Sequence, residues 1–198
     1  MLEDEKRWLQ EARKGDEEAY SRIVEAYQRP VFNLCYRMLG DRTLAEDASQ
    51  ETFLKAFMGL KRYDPERPFI TWLLSIASNH CIDRLRRRRL RLVPLEELYS
   101  APQIADATPG PEKALAKSEQ EHEMRQTLLH LAHKDRAAVV LHYWHGLSYA
   151  EVAETLSLTT SAVKSRLHRA RRELATHWLS RQAEMVTIRG RQDEASTV

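Results

Sequence analysis

The chain has 198 residues, 42% of them hydrophobic, and a formal net charge of only +2. That length holds one ordinary domain or two small ones, and the apolar content excludes a broadly disordered chain. No apolar run approaches the roughly 18 residues that span a bilayer, and residues 1–20 are too charged for a signal-peptide segment, so a soluble cytoplasmic protein without membrane insertion is expected.

Helical periodicity dominates; the β-branched run Val186–Ile188 is too short to build a strand on. Residues 16–39 read as helical, with Ala19, Ile23, Val24, Tyr27, Phe32, Leu34, Cys35 and Leu39 at apolar positions. Pro30 is expected to divide this stretch or to open its second half, and Gly40 suits a C-terminal cap. Thr43 and Glu46 have capping-box spacing, predicting a helix to about Leu60 held by Leu44, Ala48, Phe53, Phe57 and Leu60. Pro65 and Pro68 mark a loop. A long helix over Phe69–Arg89 follows, with Ile70, Leu74, Ala77, Cys81 and Leu85 as its buried stripe. The two cysteines, Cys35 and Cys81, both fall in such apolar patterns and are expected as reduced core residues.

Residues 91–117 contain Pro94, Pro102, Pro109 and Pro111 among scattered acids and read as a linker. Helix signals resume from about Glu112 to Leu131. Asp135 is placed to cap the next helix, which ends before Gly146. Ser148 and Glu151 form another capping box, Ser157–Thr159 a brief turn, and a final helix spans about Thr160 to Leu179. The tail, residues 180–198, is polar, balanced in charge and expected to fray.

The small net charge hides a segregated one. Residues 84–91 carry six Lys/Arg and residues 164–172 carry five, whereas residues 91–124 carry seven Asp/Glu against three Lys/Arg. Two basic units separated by an acidic connector suggest a protein that grips nucleic acid at two places.

In the second unit the short helix from Ser148, the turn and the helix from Thr160 make a helix-turn-helix pattern. Val163, Leu167, Ala170 and Leu174 form one buried stripe, which puts Ser161, Ser165, His168 and Arg172 on the opposite face, flanked by Lys164, Arg169 and Arg171. Short hydroxyls and long cations on one face suit a major groove: Arg reads guanine bidentately, while Ser and Lys favour phosphate. A solvated outer helix of a bundle is the bland alternative, which the turn and capping box argue against.

In the first unit, Trp72, Ser75, Asn79, Asp83 and Arg86 lie opposite the buried stripe, Arg86–Arg89 follow, and Tyr63 sits in the preceding loop. Aromatics interleaved with cations suit stacking on unpaired bases, although packing of Trp72 against a neighbouring helix is an equal alternative. No phosphate-binding glycine loop, CxxC pair or serine-nucleophile motif is present. His142 with His145, and His130 with His133, lack a completing ligand, so no metal, cofactor or catalytic residue is expected.

Three blocks, AEDASQETFLKAF at 45–57, FITWLLSIASNHCIDRLRRR at 69–88 and GLSYAEVAETL with AVKSRLHRARREL within 146–174, closely resemble bacterial RNA polymerase sigma factors of the extracytoplasmic-function group of the sigma-70 family. The resemblance covers most of residues 10–178. It implies an all-α chain of two small helical domains: a sigma domain two bundle over 10–90, which binds the polymerase clamp and melts the −10 element, and a sigma domain four helix-turn-helix over 118–179, which reads the −35 element and sits on the flap. The acidic linker 91–117 would join them through the polymerase cleft, and the tail 180–198 falls outside the family pattern. By motif position, the resemblance places Asp47, Gln50 and Glu51 against core polymerase. It places Lys55, Tyr63, Trp72, Asn79, Arg84, Arg86, Arg87 and Arg88 on the melted −10 strand, with Tyr63 and Asn79 near a flipped base. Ser161, Lys164, Ser165, Arg166, His168, Arg169 and Arg172 then belong to the −35 contact. Promoter DNA, duplex and melted, and core RNA polymerase are the implied partners, and an anti-sigma factor is a further partner of the family.

Some positions depart from the family pattern. Leu74 and Ser75 stand where an aromatic and a basic residue are usual after Thr71-Trp72-Leu73; Ser157 replaces a glycine and Thr159 a proline. Ser is tolerated in the turn at modest cost, and Thr159 or Thr160 can cap the recognition helix. A stand-alone helix-turn-helix regulator leaves the 45–89 block unexplained, and a nucleic-acid-processing enzyme lacks its acid–base pair or metal.

Overall fold

A computed structural model describes residues 2–91 and 123–195, with side chains over 4–88 and 123–180. Every regular element among them is helical. The order is α1 (Leu2–Arg13), α2 (Glu17–Leu39), α3 (Arg42–Gly59), a 3-10 turn at Leu60–Arg62, α4 (Phe69–Arg91), α5 (residues 123–130), α6 (His133–Tyr143), α7 (Tyr149–Thr155) and α8 (Thr160–Ala195). The expected linker beyond Arg91, and the expected helix before residue 123, lie outside the described residues.

Helix α2 is the centre of the first unit, packed on α1, α3 and α4. Ile23, Leu34, Cys35 and Met38 of α2 meet Leu73, Leu74, Ala77 and Cys81 of α4 in a core from which all are fully buried. Each large side chain so buried contributes about 1.5–3 kcal/mol. The two cysteines are free. Pro30, expected as a break, lies inside an uninterrupted α2. It removes one helical hydrogen bond, but the burial of Ile23 before it and Val31, Leu34 and Met38 after it outweighs a cost of about 3 kcal/mol.

The cap of α3 also differs from expectation. Asp41, not Thr43, is the N-cap, its Oδ1 accepting from Leu44 N–H at 2.7 Å. Glu46 pairs instead with Arg42 at 3.0 Å. A carboxylate satisfies the first turn and favours the positive end of the helix dipole, which a hydroxyl does less well. Helix α1 has no counterpart among the elements expected from sequence; it buries Leu9 and Ala12, and Tyr27 donates to Glu5 at 2.6 Å.

The second unit packs α6 against α7 and α8. Helix α8 continues to Ala195, past Leu179 where fraying was expected. The units are not separate beads: α2 and α4 both contact α6, and α4 also contacts α7. Gly40 is central to this seam. Its φ of 75° ends α2 with the N–H bonded to Tyr36 O, and a Cβ there would meet Leu129 Cδ1 at 2.6 Å. Arg136, 3% exposed, donates across the seam to Met38 O and, within its own unit, to Leu129 O at 2.5 Å and Leu131 O at 3.2 Å. Burial pushes its pKa down to about 10, which still leaves it charged at neutral pH.

Candidate nucleic-acid and polymerase interfaces

The helix-turn-helix forms as its local chemistry predicts. Ser148 Oγ accepts from Glu151 N–H, and Glu151 Oε2 accepts from Ser148 N–H at 2.8 Å, completing the capping box. Ser157 takes a φ of 52°, the left-handed turn in which a Cβ is strained. Thr159 Oγ1 accepts from Ala162 N–H at 3.1 Å and opens α8. Val163, Leu167 and Ala170 are buried and Leu174 packs against them. Ser161, Lys164, Ser165, His168 and Arg172 are all exposed, so one face of α8 is seated and the other is open.

Arg169 is also exposed and Arg166 half-buried, but neither is free as these residues are. Both turn onto Asp135 of α6, at 2.6 and 2.7 Å. Asp135 is not the helix cap expected from sequence: Ala132 occupies the N-cap without a side-chain bond, and Asp135 is 1% exposed. Burial pushes its carboxyl up, but the hydrogen bonds from Arg169 and Arg166 outweigh this and hold it below the usual carboxylate range. An acid near a helix start is read locally as a cap, and no local signal discloses a partner 34 residues on.

On the first unit, Asp47, Gln50 and Glu51 share an exposed face of α3 and, with Leu54 and Arg84, line a shallow groove of ≈ 440 Å³. Arg84, expected on DNA, ties to Asp47 at 3.3 Å. Leu54 and Met58 are 54% and 76% exposed on the same helix, an apolar addition to this acidic face. Lys55 Nζ donates to His80 Nδ1 at 2.6 Å, and burial, with Lys55 adding to it, pushes the His80 pKa down so that the ring stays a neutral acceptor.

Tyr63, expected as an available loop aromatic, is buried at 4% exposure; its hydroxyl donates to Arg67 O and its ring meets Phe69 and Trp72 at centroid distances of 5.3 and 5.0 Å. Trp72 is half-buried in that cluster, the packing alternative rather than a free platform. The three rings cover each other because their apolar area is larger than the loop can leave in water. Asn79 is exposed but touches the second unit, Nδ2 donating to Thr155 O at 3.4 Å, and nearby Arg67 pairs with Glu154 at 2.6 Å. Arg86, Arg87 and Arg88 are exposed on the last turns of α4. His142 bonds to Leu147 O at 2.7 Å, and among the described residues no cluster of three or more ligand-type side chains forms.

Residues 23–91 match the sigma-70 region 2 family, and residues 121–174 match sigma-70 region 4. The ECF RNA polymerase sigma factor SigW of Bacillus subtilis (strain 168) is 36% identical over 175 residues, 85% of this chain and 94% of its own. The RNA polymerase sigma-H factor of Pseudomonas aeruginosa is 31% identical over 175 residues, covering 85% of this chain and 91% of its own. The solved structure of CnrH in complex with the cytosolic domain of CnrY superimposes with a TM-score of 0.66 over 89% of this chain and 98% of that one. At 24% identity this is a likeness of fold.

A helix seated on one face and open and polar on the other in one unit, with a basic helix end in the other unit, is the surface pattern of a two-part DNA-binding factor. Both matched regions lie in one chain in the order of a single family, and the chain belongs to the sigma-70 family, within it to the extracytoplasmic-function RNA polymerase sigma factors. It binds core RNA polymerase and directs promoter-specific initiation, a role that accounts for the first unit where a stand-alone regulator does not. No helix among the described residues is long and apolar enough to cross a membrane.

Proposed function

We propose that Ser161, Lys164, Ser165, His168 and Arg172 of α8 contact the −35 element. Asp47, Gln50 and Glu51 of α3, with exposed Leu54, contact the polymerase clamp. Asn79, Lys55 and Arg86–Arg88 hold the melted −10 strand. The observation that carries this is α8 itself: these five exposed polar side chains share one side of the helix while Val163, Leu167 and Ala170 are buried on the other. A hydroxyl-and-cation face so fixed fits a major groove.

For the strand-holding face, the contact between α4 and α7 must open. The Asn79–Thr155 bond is long at 3.4 Å, near the limit at which a hydrogen bond contributes, and the Arg67–Glu154 pair is half-exposed and worth at most about 1 kcal/mol. Asn79 meets a base once α7 has moved off it. Flipping that base costs a few kcal/mol, which edge hydrogen bonds and stacking must recover. Acting with RNA polymerase, the protein works in the cytoplasm and performs no chemistry of its own.

Run-off transcription from a fragmented genomic library, with core polymerase with and without the protein, tests this. Discrete starts that need the protein are expected and also yield its promoter motif. No starts and no co-elution with core polymerase would contradict the assignment of both domains.

A further inference from the structure

The cations of α8 between Lys164 and Arg172 fall into two classes. Lys164, Arg171 and Arg172 are exposed and make no ion pair among the described residues, whereas Arg166 and Arg169 are both held by Asp135. Its carboxylate is closed off, the side chain 2% exposed. Oδ1 accepts from Arg166 Nη1 at 2.6 Å and from Arg169 Nη2 at 3.1 Å; Oδ2 accepts from Arg169 Nε at 2.7 Å. Arg169 is thus gripped bidentately along its Nε edge. Its Nη1 lies on the far side of the guanidinium from that grip, and the side chain is still 59% exposed. On the 3.6-residue period Arg169 falls beside Ser165 and Arg172, at the edge of the open face, and Arg166 falls nearer the seated one.

A buried acid under a DNA-facing helix carries two costs. It is desolvated, and it cancels positive charge that would draw phosphate. An apolar residue of similar volume generally serves the fold as well as a buried ion pair does, so stability alone does not explain it. Its physical effects bear on recognition instead. The carboxylate fixes the rotamers of two long side chains before DNA arrives, which removes an ordering cost from binding. It also lowers the sequence-independent, salt-sensitive attraction of the surface for any phosphate backbone. One effect strengthens the specific complex and the other weakens the non-specific one.

We propose that Asp135 is a positioning residue that sets −35 specificity: it presents Arg169 to the groove in one orientation and restrains Arg166 and Arg169 from indiscriminate phosphate contact. This rests on the assignment of α8 to the −35 element.

The test uses holoenzyme assembled from core polymerase and the full chain. Its ligands are a promoter fragment recovered by run-off transcription and the same fragment with a scrambled −35 element, titrated across salt concentration. Asp135→Asn keeps the shape and removes the charge. Discrimination between the fragments is expected to fall on the order of tenfold, affinity for the scrambled fragment to rise, and the salt slope to steepen by about one. A residue that merely braces the fold would weaken both fragments alike with an unchanged slope, and that result overturns the proposal. Arg169→Gln is expected to lose discrimination alone and to add little in the Asp135→Asn background; fully additive losses overturn action through Arg169. If Asp135→Asn does not fold, Asp135→Glu keeps the charge but displaces it, and is expected to lose discrimination without steepening the slope; wild-type discrimination there overturns the proposal. Initiation from a pre-melted template without a −35 element is expected at the wild-type level in every variant, and its loss would move Asp135 to polymerase binding. The underlying assignment fails in a different way: a wild-type holoenzyme that does not distinguish the two fragments removes the −35 role of α8 altogether.

Discussion

Acid should loosen this protein through one histidine. His145 follows α6 where the second unit meets α2, and its Nε2 is buried without a hydrogen-bond partner among the described residues. Arg37 of α2 lies 5.2 Å over the ring of the adjacent Trp144. Burial, with the charge of Arg37 adding to it, pushes the imidazole from 6.5 down to about 4. The unfolded chain therefore takes a proton near pH 6.5 that the folded protein refuses until about pH 4, and stability falls as pH falls through that window. At ~1.4 kcal/mol for each pH unit the full shift corresponds to about 3.5 kcal/mol, and solvent screening at the accessible edge of the ring reduces the expected loss to about 2 kcal/mol. His145→Gln cannot take the proton. It should be less stable than wild type at neutral pH by about 1 kcal/mol, through imperfect packing, and should match or exceed wild type near the bottom of the window. Urea unfolding of both proteins across the window measures the difference. His80, also pushed down by burial with Lys55 adding to it, contributes a slope of the same sign that cancels in the comparison. Asp135 loses its contribution only below the window, as pH falls through its lowered carboxyl pKa. Parallel pH profiles for wild type and His145→Gln would refute the reasoning, because they would mean that the folded protein solvates the imidazole.

Arg136→Met strips the donor from three carbonyls, the buried ones of Met38 and Leu131 and the half-buried one of Leu129, and should cost about 3–5 kcal/mol in urea unfolding; a loss under 1 kcal/mol would mean that water serves those carbonyls as well. Ser157→Gly relieves a φ of 52° and should stabilise the protein by about 0.5–1 kcal/mol, seen as a raised thermal midpoint. Asn79→Ala should leave core binding intact and reduce promoter opening, so permanganate reactivity of the −10 strand equal to wild type would count against its role. Arg172→Ala should lower the salt slope of promoter binding by about one, and an unchanged slope with an unchanged upstream footprint would remove Arg172 from the interface.

The elements that sequence disclosed are those governed by neighbours within one helical turn. The Ser148–Glu151 capping box, the Thr159 cap, the Gly40 terminus and the stripe of Val163, Leu167 and Ala170 all formed as their spacing predicts. What it did not disclose depends on partners beyond the helical turn. Pro30 stays helical because core residues on both sides of it are buried. Tyr63 leaves the solvent because Phe69 and Trp72 come round to meet it. Arg166 and Arg169 also bind an acid on another helix, and Arg84 binds Asp47 across the groove.

The sequence by itself determined the helical class, the two basic units, the family and the open face of α8, because periodicity, capping and motif order are local properties of the chain. The tertiary structure decided which charges are spent inside the protein and which remain for partners. It also decided that α7 rests against Asn79 and that Arg136 ties α2 to the second unit. Those outcomes turn on desolvation and on meetings between residues tens of positions apart, where a buried charge accepts whichever partner packing brings within reach.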